Sequence, residues 1–174
     1  MTSKVTSAAL AILLAATAAQ CDNSAPTERT ILEKAVRDEV TSVAADDPTM
    51  AAAMSKARST LPEFLTLAQK PPPGTGRFTV KVAVRDGTKV EYFWIDPFTQ
   101  TQETFSGEIN NTPRSVRNVA LGDKITFAKH EIVDWMYMEG SIMQGNYTAR
   151  ALLKNAPEHE REAFRKRYGL DLDF

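Results

Sequence analysis

An alternation of apolar and polar residues that begins at Phe78 constrains the fold of this chain more than any other feature. Four apolar residues at every second position would share one face of a strand: Phe78, Val80, Val82 and Val84. The intervening residues, Lys81 among them, would lie on the other face. Asp86-Gly87 follows, and this dipeptide is typical of tight hairpin turns. The pattern therefore predicts a strand that enters an antiparallel hairpin.

Three more strands are predicted downstream. The β-branched and aromatic run from Val90 to Ile95 would form the second hairpin strand. A third strand is predicted at about residues 101–109, after a turn that contains Pro97, and a fourth at residues 124–127. Residues 130–138 would continue as extended or turn structure.

Helical patterns lie on both sides of these strands. Asp46-Asp47-Pro48 is a helix start, with a capping carboxylate before a proline at the first helical position. Pro62 is expected to break this helix, so that a short second helix would reach Gln69. Two C-terminal helices are predicted at residues 147–155 and 157–168. The predicted fold is α+β, an antiparallel meander of about four strands flanked by N-terminal and C-terminal helices.

The first 20 residues have the pattern of a secretory signal. A short head with Lys4 precedes an apolar run from Ala8 to Ala16, which ends in small residues. This run is shorter than the roughly 20 residues that cross a bilayer. Residues 1–20 are therefore predicted to be a signal peptide, and the protein is predicted to be exported to the periplasm or secreted.

Two kinds of processing remain open at the end of this segment. Cleavage after the small residues near Ala18 would release a soluble protein, whereas lipidation of Cys21 would anchor it to the membrane. Gln20 and Ala18 depart from the lipoprotein pattern, which favours release. Residues 21–45 are assigned to a tether and an amphipathic N-terminal helix with Leu32, Val36 and Val40 on one face. An extended conformation at residues 40–44 is the alternative to a helix that continues past Val40.

Charge argues against a nucleic-acid partner. The chain has 21 Lys and Arg residues and 22 Asp and Glu residues, so no basic excess is available to neutralise phosphates. Contact with a membrane is expected only through a lipid on Cys21.

Several segments of the chain together form a recognisable pattern, in this order: Asp46–Met50, Ala57–Phe64, Glu91–Ile95, Phe105–Asn111, Gly122-Asp123, Ile132–Tyr137 and Gly145–Arg150. Through these segments, residues 46–174 resemble the YegJ-like family of bacterial proteins, a domain of unknown function. The resemblance implies a compact bacterial domain. It implies no reaction, so no residue inherits a catalytic role from it.

The sequence offers only weak catalytic candidates. His130-Glu131 with Asp134 lacks the second histidine that a zinc protease would need, and no metal or cofactor is predicted. Paired carboxylates, either Glu103 with Glu108 or Glu131 with Asp134, would suit a glycoside hydrolase. Carboxylates are also common on protein surfaces. The sequence thus favours a protein that is not an enzyme.

Aromatic and polar residues in the family-like segments suggest a binding surface instead. Phe93 and Trp94 are adjacent in a predicted strand, so one of them would be in the core and the other on the opposite face. The candidate binding residues are Tyr92, Trp94, Asn110, Asp134, Trp135, Asn146 and Arg150. The alternatives are core packing for the aromatic residues, turn formation for the Asn and Asp residues, and an ion pair with a carboxylate for the arginine.

Three functions follow. The first is a non-enzymatic module of the bacterial envelope that binds another protein, for example a toxin that it neutralises. The second is a hydrolase of cell-wall or polysaccharide material that uses paired carboxylates. The third is a structural or stress-related envelope protein whose domain stabilises an assembly.

Overall fold

The computed structural model describes residues 47–170 of the chain. Helix α1, Pro48–Gln69, begins where the sequence predicts. The Oδ1 atom of Asp47 accepts a hydrogen bond of 2.7 Å from the amide of Thr49, and Pro48 occupies the first helical position. The carboxylate satisfies an amide that a helix start otherwise leaves unpaired.

Within residues 47–170, six strands form one open antiparallel sheet. They are β1 Thr75–Asp86, β2 Lys89–Thr101, β3 Thr104–Ile109, β4 Lys124–Ala128, β5 Ile132–Glu139 and β6 Ile142–Gly145. Their spatial order is β4-β3-β2-β1-β5-β6, so β1 is central and pairs with both β2 and β5. Helices α2, Tyr147–Leu153, and α3, Glu158–Tyr168, complete the described chain.

Each face of the sheet packs against different helices. On one face, α1 supplies Leu61 and Phe64 to a core that also contains Val80, Phe93 and Trp135. On the other face, α2 and α3 cover β5 and β6 through a second cluster that includes Met143, Leu153, Phe164 and Leu170. The α+β class is therefore confirmed, with helices on both sides of an antiparallel sheet.

The structure corrects three details of the sequence prediction. Helix α1 continues through Pro62, because Leu61, Phe64 and Leu65 on both sides of the proline are buried in one core. Strand β2 also continues through Pro97, where a shift in pairing register between Ile95 and Phe98 creates a bulge that tolerates a residue without an amide hydrogen. The sheet has six strands rather than about four.

Of the two extra strands, β5 lies in the segment at residues 130–138 that the sequence predicts as extended or turn structure, and β6 follows that segment. Strand β6 has only four residues, which gives too short a pattern to identify.

Several predictions concern residues outside the described part of the chain. They are the signal peptide at residues 1–20, Cys21, and the N-terminal helix within residues 21–45. Among residues 47–170, no helix combines the length and the apolar character needed to cross a bilayer.

Candidate functional site

A lysine is buried in the middle of the sheet, on the face that α2 covers. Lys81 of β1 is 1% exposed, and its Nζ atom donates a hydrogen bond of 3.0 Å to the hydroxyl of Thr148. Asp134 of β5 lies directly opposite Lys81 in the strand pairing and is also 1% exposed. Burial of a charge costs free energy unless an opposite charge compensates it. Lys81 and Asp134 therefore form one structural unit.

Asp134 also holds the start of helix α2. Its Oδ2 atom accepts hydrogen bonds from the hydroxyl and the amide of Thr148, at 2.6 and 2.8 Å. Its Oδ1 atom accepts from the amides of Trp135 and Tyr147. Burial raises the pKa of Asp134 above its usual value, although the charge of Lys81 and these hydrogen bonds favour the ionised form.

Asn146 precedes α2 and does not cap it with its own side chain. Its backbone is left-handed, with φ of 51°, and its amide donates to the carbonyl of Trp135 at 2.8 Å. The usual cap is a side chain next to the helix in sequence. Here Asp134, on a strand, takes that role and accepts hydrogen bonds from the first amides of α2. Arg150, one turn into α2, fixes the approach to the helix by donating from Nε to the carbonyl of Gly145 at 2.7 Å.

An indole covers the buried lysine and forms part of a cleft. The Nζ atom of Lys81 lies 4.6 Å from the ring centroid of Trp94, within the range of a cation–π interaction. Trp94 is half-buried and contributes to a cleft of about 290 Å³ beside the C-terminal helices. The other lining residues include Arg77, Asp96, Asn110, Met138, Met143 and Tyr168.

The cleft lies beside a strained segment of β1. Arg77 has φ of 55°. This left-handed conformation is unfavourable in free energy for any residue that has a Cβ atom. Here the pairing between β1 and β5 shifts register between Gly76 and Thr79. A β-bulge re-aims side chains and is common beside binding sites.

The structure brings together five of the seven residues that the sequence suggested for a binding surface. Trp94 and Asn110 line the cleft, and Asp134 is linked to Trp94 through Lys81. Asn146 and Arg150 are buried at the start of α2 behind them. Phe93, by contrast, is fully buried in the core, so the prediction that Phe93 and Trp94 lie on opposite faces is confirmed.

The other two residues lie elsewhere. The Trp135 ring is in the core under α1, where its Nε1 atom donates to the carbonyl of Ala57 at 2.9 Å. Tyr92 packs beside the first turns of α1, against a small cluster of Met50, Met54, Val133 and Ala151. Neither side chain lines the cleft.

Sequence reasoning did not single out Lys81, Thr148 or Glu91. The alternating pattern places Lys81 on a polar face of its strand. The predicted C-terminal helices were an available signal that this face is buried, because helices need a sheet face to cover. Glu91 is 2% exposed and accepts hydrogen bonds from the amides of Arg114, Ser115 and Val116. Burial opposes ionisation of Glu91, but these hydrogen bonds outweigh it and lower its pKa.

The candidate catalytic residues have separate structural roles. Glu131 accepts a hydrogen bond from the amide of Ala128 and ends a turn of 3-10 helix, while Asp134 is buried against α2. His130 is exposed beside α1, in a cleft that Glu103 also lines. Within the described residues, no group of three His, Cys, Asp or Glu side chains is placed to hold a metal ion.

The six-stranded open sheet, its helical covers and the buried Lys81–Asp134 unit define a small α+β domain with a cleft on one sheet face. The chain belongs to the family described as "Uncharacterized protein conserved in bacteria (DUF2314)", whose model matches residues 47–172. Together with the relative described next, this match confirms the resemblance to the YegJ-like family.

Two curated proteins are similar in sequence. "Uncharacterized protein YegJ" of Escherichia coli (strain K12) is 33% identical over 120 residues, which are 69% of this chain and 77% of that protein. A "Putative ankyrin repeat protein" of Neisseria meningitidis serogroup B is 30% identical over 86 residues, 49% of this chain and 34% of that protein. No solved structure matches the chain.

Proposed function

We propose that this chain is a non-enzymatic protein of the bacterial envelope that binds another protein through the cleft beside Trp94. The observation that supports this most is the cleft itself, of about 290 Å³, where an indole, thioethers and a phenol adjoin charged and amide groups. Trp, Tyr, Met and Arg are the residue types enriched at protein interfaces.

The cleft has a rigid support. Trp94 rests on Lys81, which is fixed by Thr148 and by the charge of Asp134. A side chain that is already held in place loses little conformational entropy when a partner binds. Trp94 therefore suits the role of an anchor, the kind of residue that contributes most to binding free energy.

The size and polarity of the cleft suggest what it would accept. A volume of about 290 Å³ is at the small end for ligand pockets, which suits side chains of a partner better than a large cofactor. An apolar or aromatic side chain would contact Trp94 and Met138, and Asn110 and Asp96 would hydrogen-bond to the partner's backbone at the rim.

The envelope location depends on the N-terminal sequence. Residues 1–20 carry the signal pattern, and Cys21 offers a lipid anchor as an alternative to release. One version of the function is neutralisation of a toxin, since blocking a partner's site needs no chemistry by the blocking protein.

The binding function is tested by affinity capture from an envelope extract, followed by mass spectrometry. The wild type is compared with Asn110→Trp, which adds bulk at the cleft, and with Thr112→Trp, which adds the same bulk at an exposed position of the same loop. A partner captured by the wild type and by Thr112→Trp, but lost from Asn110→Trp, supports the proposal. Equal capture by all three, or no enrichment over an unrelated domain, contradicts it.

Export and anchoring have their own experiment. Cell fractionation compares the full chain with a chain that lacks residues 1–20, and labelled fatty acid is followed in the wild type and in Cys21→Ser. Retention of the full chain in the cytoplasm would contradict export. Label in the wild type alone would establish the lipid anchor in place of release.

A further inference from the structure

A second groove lies between the first two turns of α1 and helix α2. It has a volume of about 250 Å³ and is lined by Thr49, Ala52, Ala53, Lys56, Tyr147, Ala151 and Lys154. Three alanines and the Tyr147 ring make its floor largely apolar. Ala52 is exposed, so this apolar floor faces solvent in the described part of the chain.

We infer that the groove is the docking site of the chain's own N-terminal segment, residues 27–44. This segment ends three residues before Asp47, which caps α1, and the groove begins at Thr49 on the first turn of the same helix. A tethered segment this close is present at high effective concentration, so weak contacts are sufficient to dock it.

The apolar pattern of the segment matches the groove. Leu32, Val36 and Val40 recur at every fourth position and would form one stripe on a helix. From Leu32 to Val40 this stripe is about 12 Å long at 1.5 Å per residue, and the groove from Thr49 to Lys56 on α1 is about 10 Å long. A segment that runs antiparallel to α1 would place Val40 near Thr49 and Leu32 near Lys56.

Small residues in the groove permit close helix packing. Thr49, Ala52, Ala53 and Lys56 follow the spacing of i, i+3, i+4 and i+7, which produces one continuous helix face. Because the alanine side chains are short, the larger side chains of an incoming helix can enter between the rows. The leucine and valine side chains of the segment supply that bulk.

One ion pair would fix the direction of docking. Lys56 and Lys154 contribute a positive charge on each side of the groove. The segment has four acidic residues, Glu28, Glu33, Asp38 and Glu39, and three basic residues, Arg29, Lys34 and Arg37. In the antiparallel arrangement Glu33 lies next to Leu32 and so comes near Lys56, where an ion pair would favour this direction of docking.

The experiment is limited trypsin digestion of the full chain as purified from expressing cells, with cleavage after Arg29, Lys34 and Arg37 followed by mass spectrometry. Ala52→Glu places a charge in the groove, and Ala51→Glu places the same charge at an exposed position of α1 that does not line it. Unfolding midpoints of both variants are measured, since substitution of an exposed alanine should leave the domain folded.

Docking predicts slow cleavage in the wild type and in Ala51→Glu, and cleavage faster by about tenfold or more in Ala52→Glu, because a protease cuts the undocked form. Leu32→Asp should give the same acceleration as Ala52→Glu. Equal cleavage rates in all variants would overturn the inference. Protection that increases with protein concentration would also overturn it, because a second copy would then supply the segment.

Discussion

Asp134 and Thr148, 14 residues apart in sequence, make two hydrogen bonds to each other, one from the threonine amide and one from its hydroxyl. These bonds attach the start of α2 to strand β5. The same threonine oxygen accepts from Lys81, so one short polar unit connects the central strand, its neighbour and a helix.

Asp134→Asn should destabilise the fold by about 3–5 kcal/mol, because the buried Lys81 would lose the charge that faces it. The side-chain amide nitrogen of the asparagine is itself a donor, and it would face groups that also donate, so no hydrogen bond could form there. Urea unfolding followed by circular dichroism measures the change. The control is Asp123→Asn, whose exposed carboxylate accepts only from the amide of Ala120 among the bonds described, and which should cost about 0.5–1.5 kcal/mol. Similar costs for the two variants would contradict the role assigned to Asp134.

Glu91 predicts a pH dependence of stability. Its pKa is lower in the folded chain than in the unfolded chain, where a glutamate titrates at about 4.3. Its contribution is therefore fully present above that pH and is lost as the pH falls through the lower folded pKa. The measurement is the difference in unfolding free energy between wild type and Glu91→Gln from pH 7 to pH 3. We expect the difference to shrink at the acid end, and a constant difference would refute this account.

Gly145 and Gly140 form a matched pair. Both have positive φ, 74° and 59°, but only a Cβ atom at Gly145 would collide with the carbonyl and ring of Trp135. Gly140→Ala should cost about 1–2 kcal/mol for left-handed strain alone. Gly145→Ala should cost clearly more, and thermal unfolding of the two variants compares them. A larger loss of stability in Gly140→Ala than in Gly145→Ala would contradict the close approach of β6 to Trp135.

Pro62 should be replaceable with a gain in stability. It is exposed and lies inside α1, where it has no amide hydrogen to donate to the carbonyl of Arg58. Pro62→Ala is expected to raise the free energy of unfolding by about 1–3 kcal/mol, which a shift of the urea midpoint would report. A lower midpoint would mean that the local distortion at the proline is needed, for example to expose the Ala57 carbonyl to the indole nitrogen of Trp135.

Local patterns predicted much of this fold from the sequence. The period-two run at Phe78, the Asp86-Gly87 turn and the Asp47-Pro48 helix start are all signals that act within a few residues, and the structure confirms them. The continuation of α1 through Pro62 and of β2 through Pro97 depends on long-range packing, which overrides local propensity.

The candidate site was harder to predict for the same reason. Trp94 and Asn110 could be chosen because aromatic and amide residues are typical of binding surfaces. Lys81 looked like an ordinary solvent-facing residue, since its burial depends on helices that follow it by more than 60 residues. Glu91 contacts a loop without periodic pattern, so no sequence signal identified its amide partners.

The central position of β1 has a consequence for how the molecule is assembled. One edge of β1 pairs with β2, the strand that follows it immediately. The other edge remains unpaired until β5, which begins at Ile132, is available. A chain that emerges progressively from a ribosome therefore exposes a bare strand edge until most of its length has appeared. Such an edge attracts other extended chains, so mispairing of this edge is a hazard during synthesis rather than after folding.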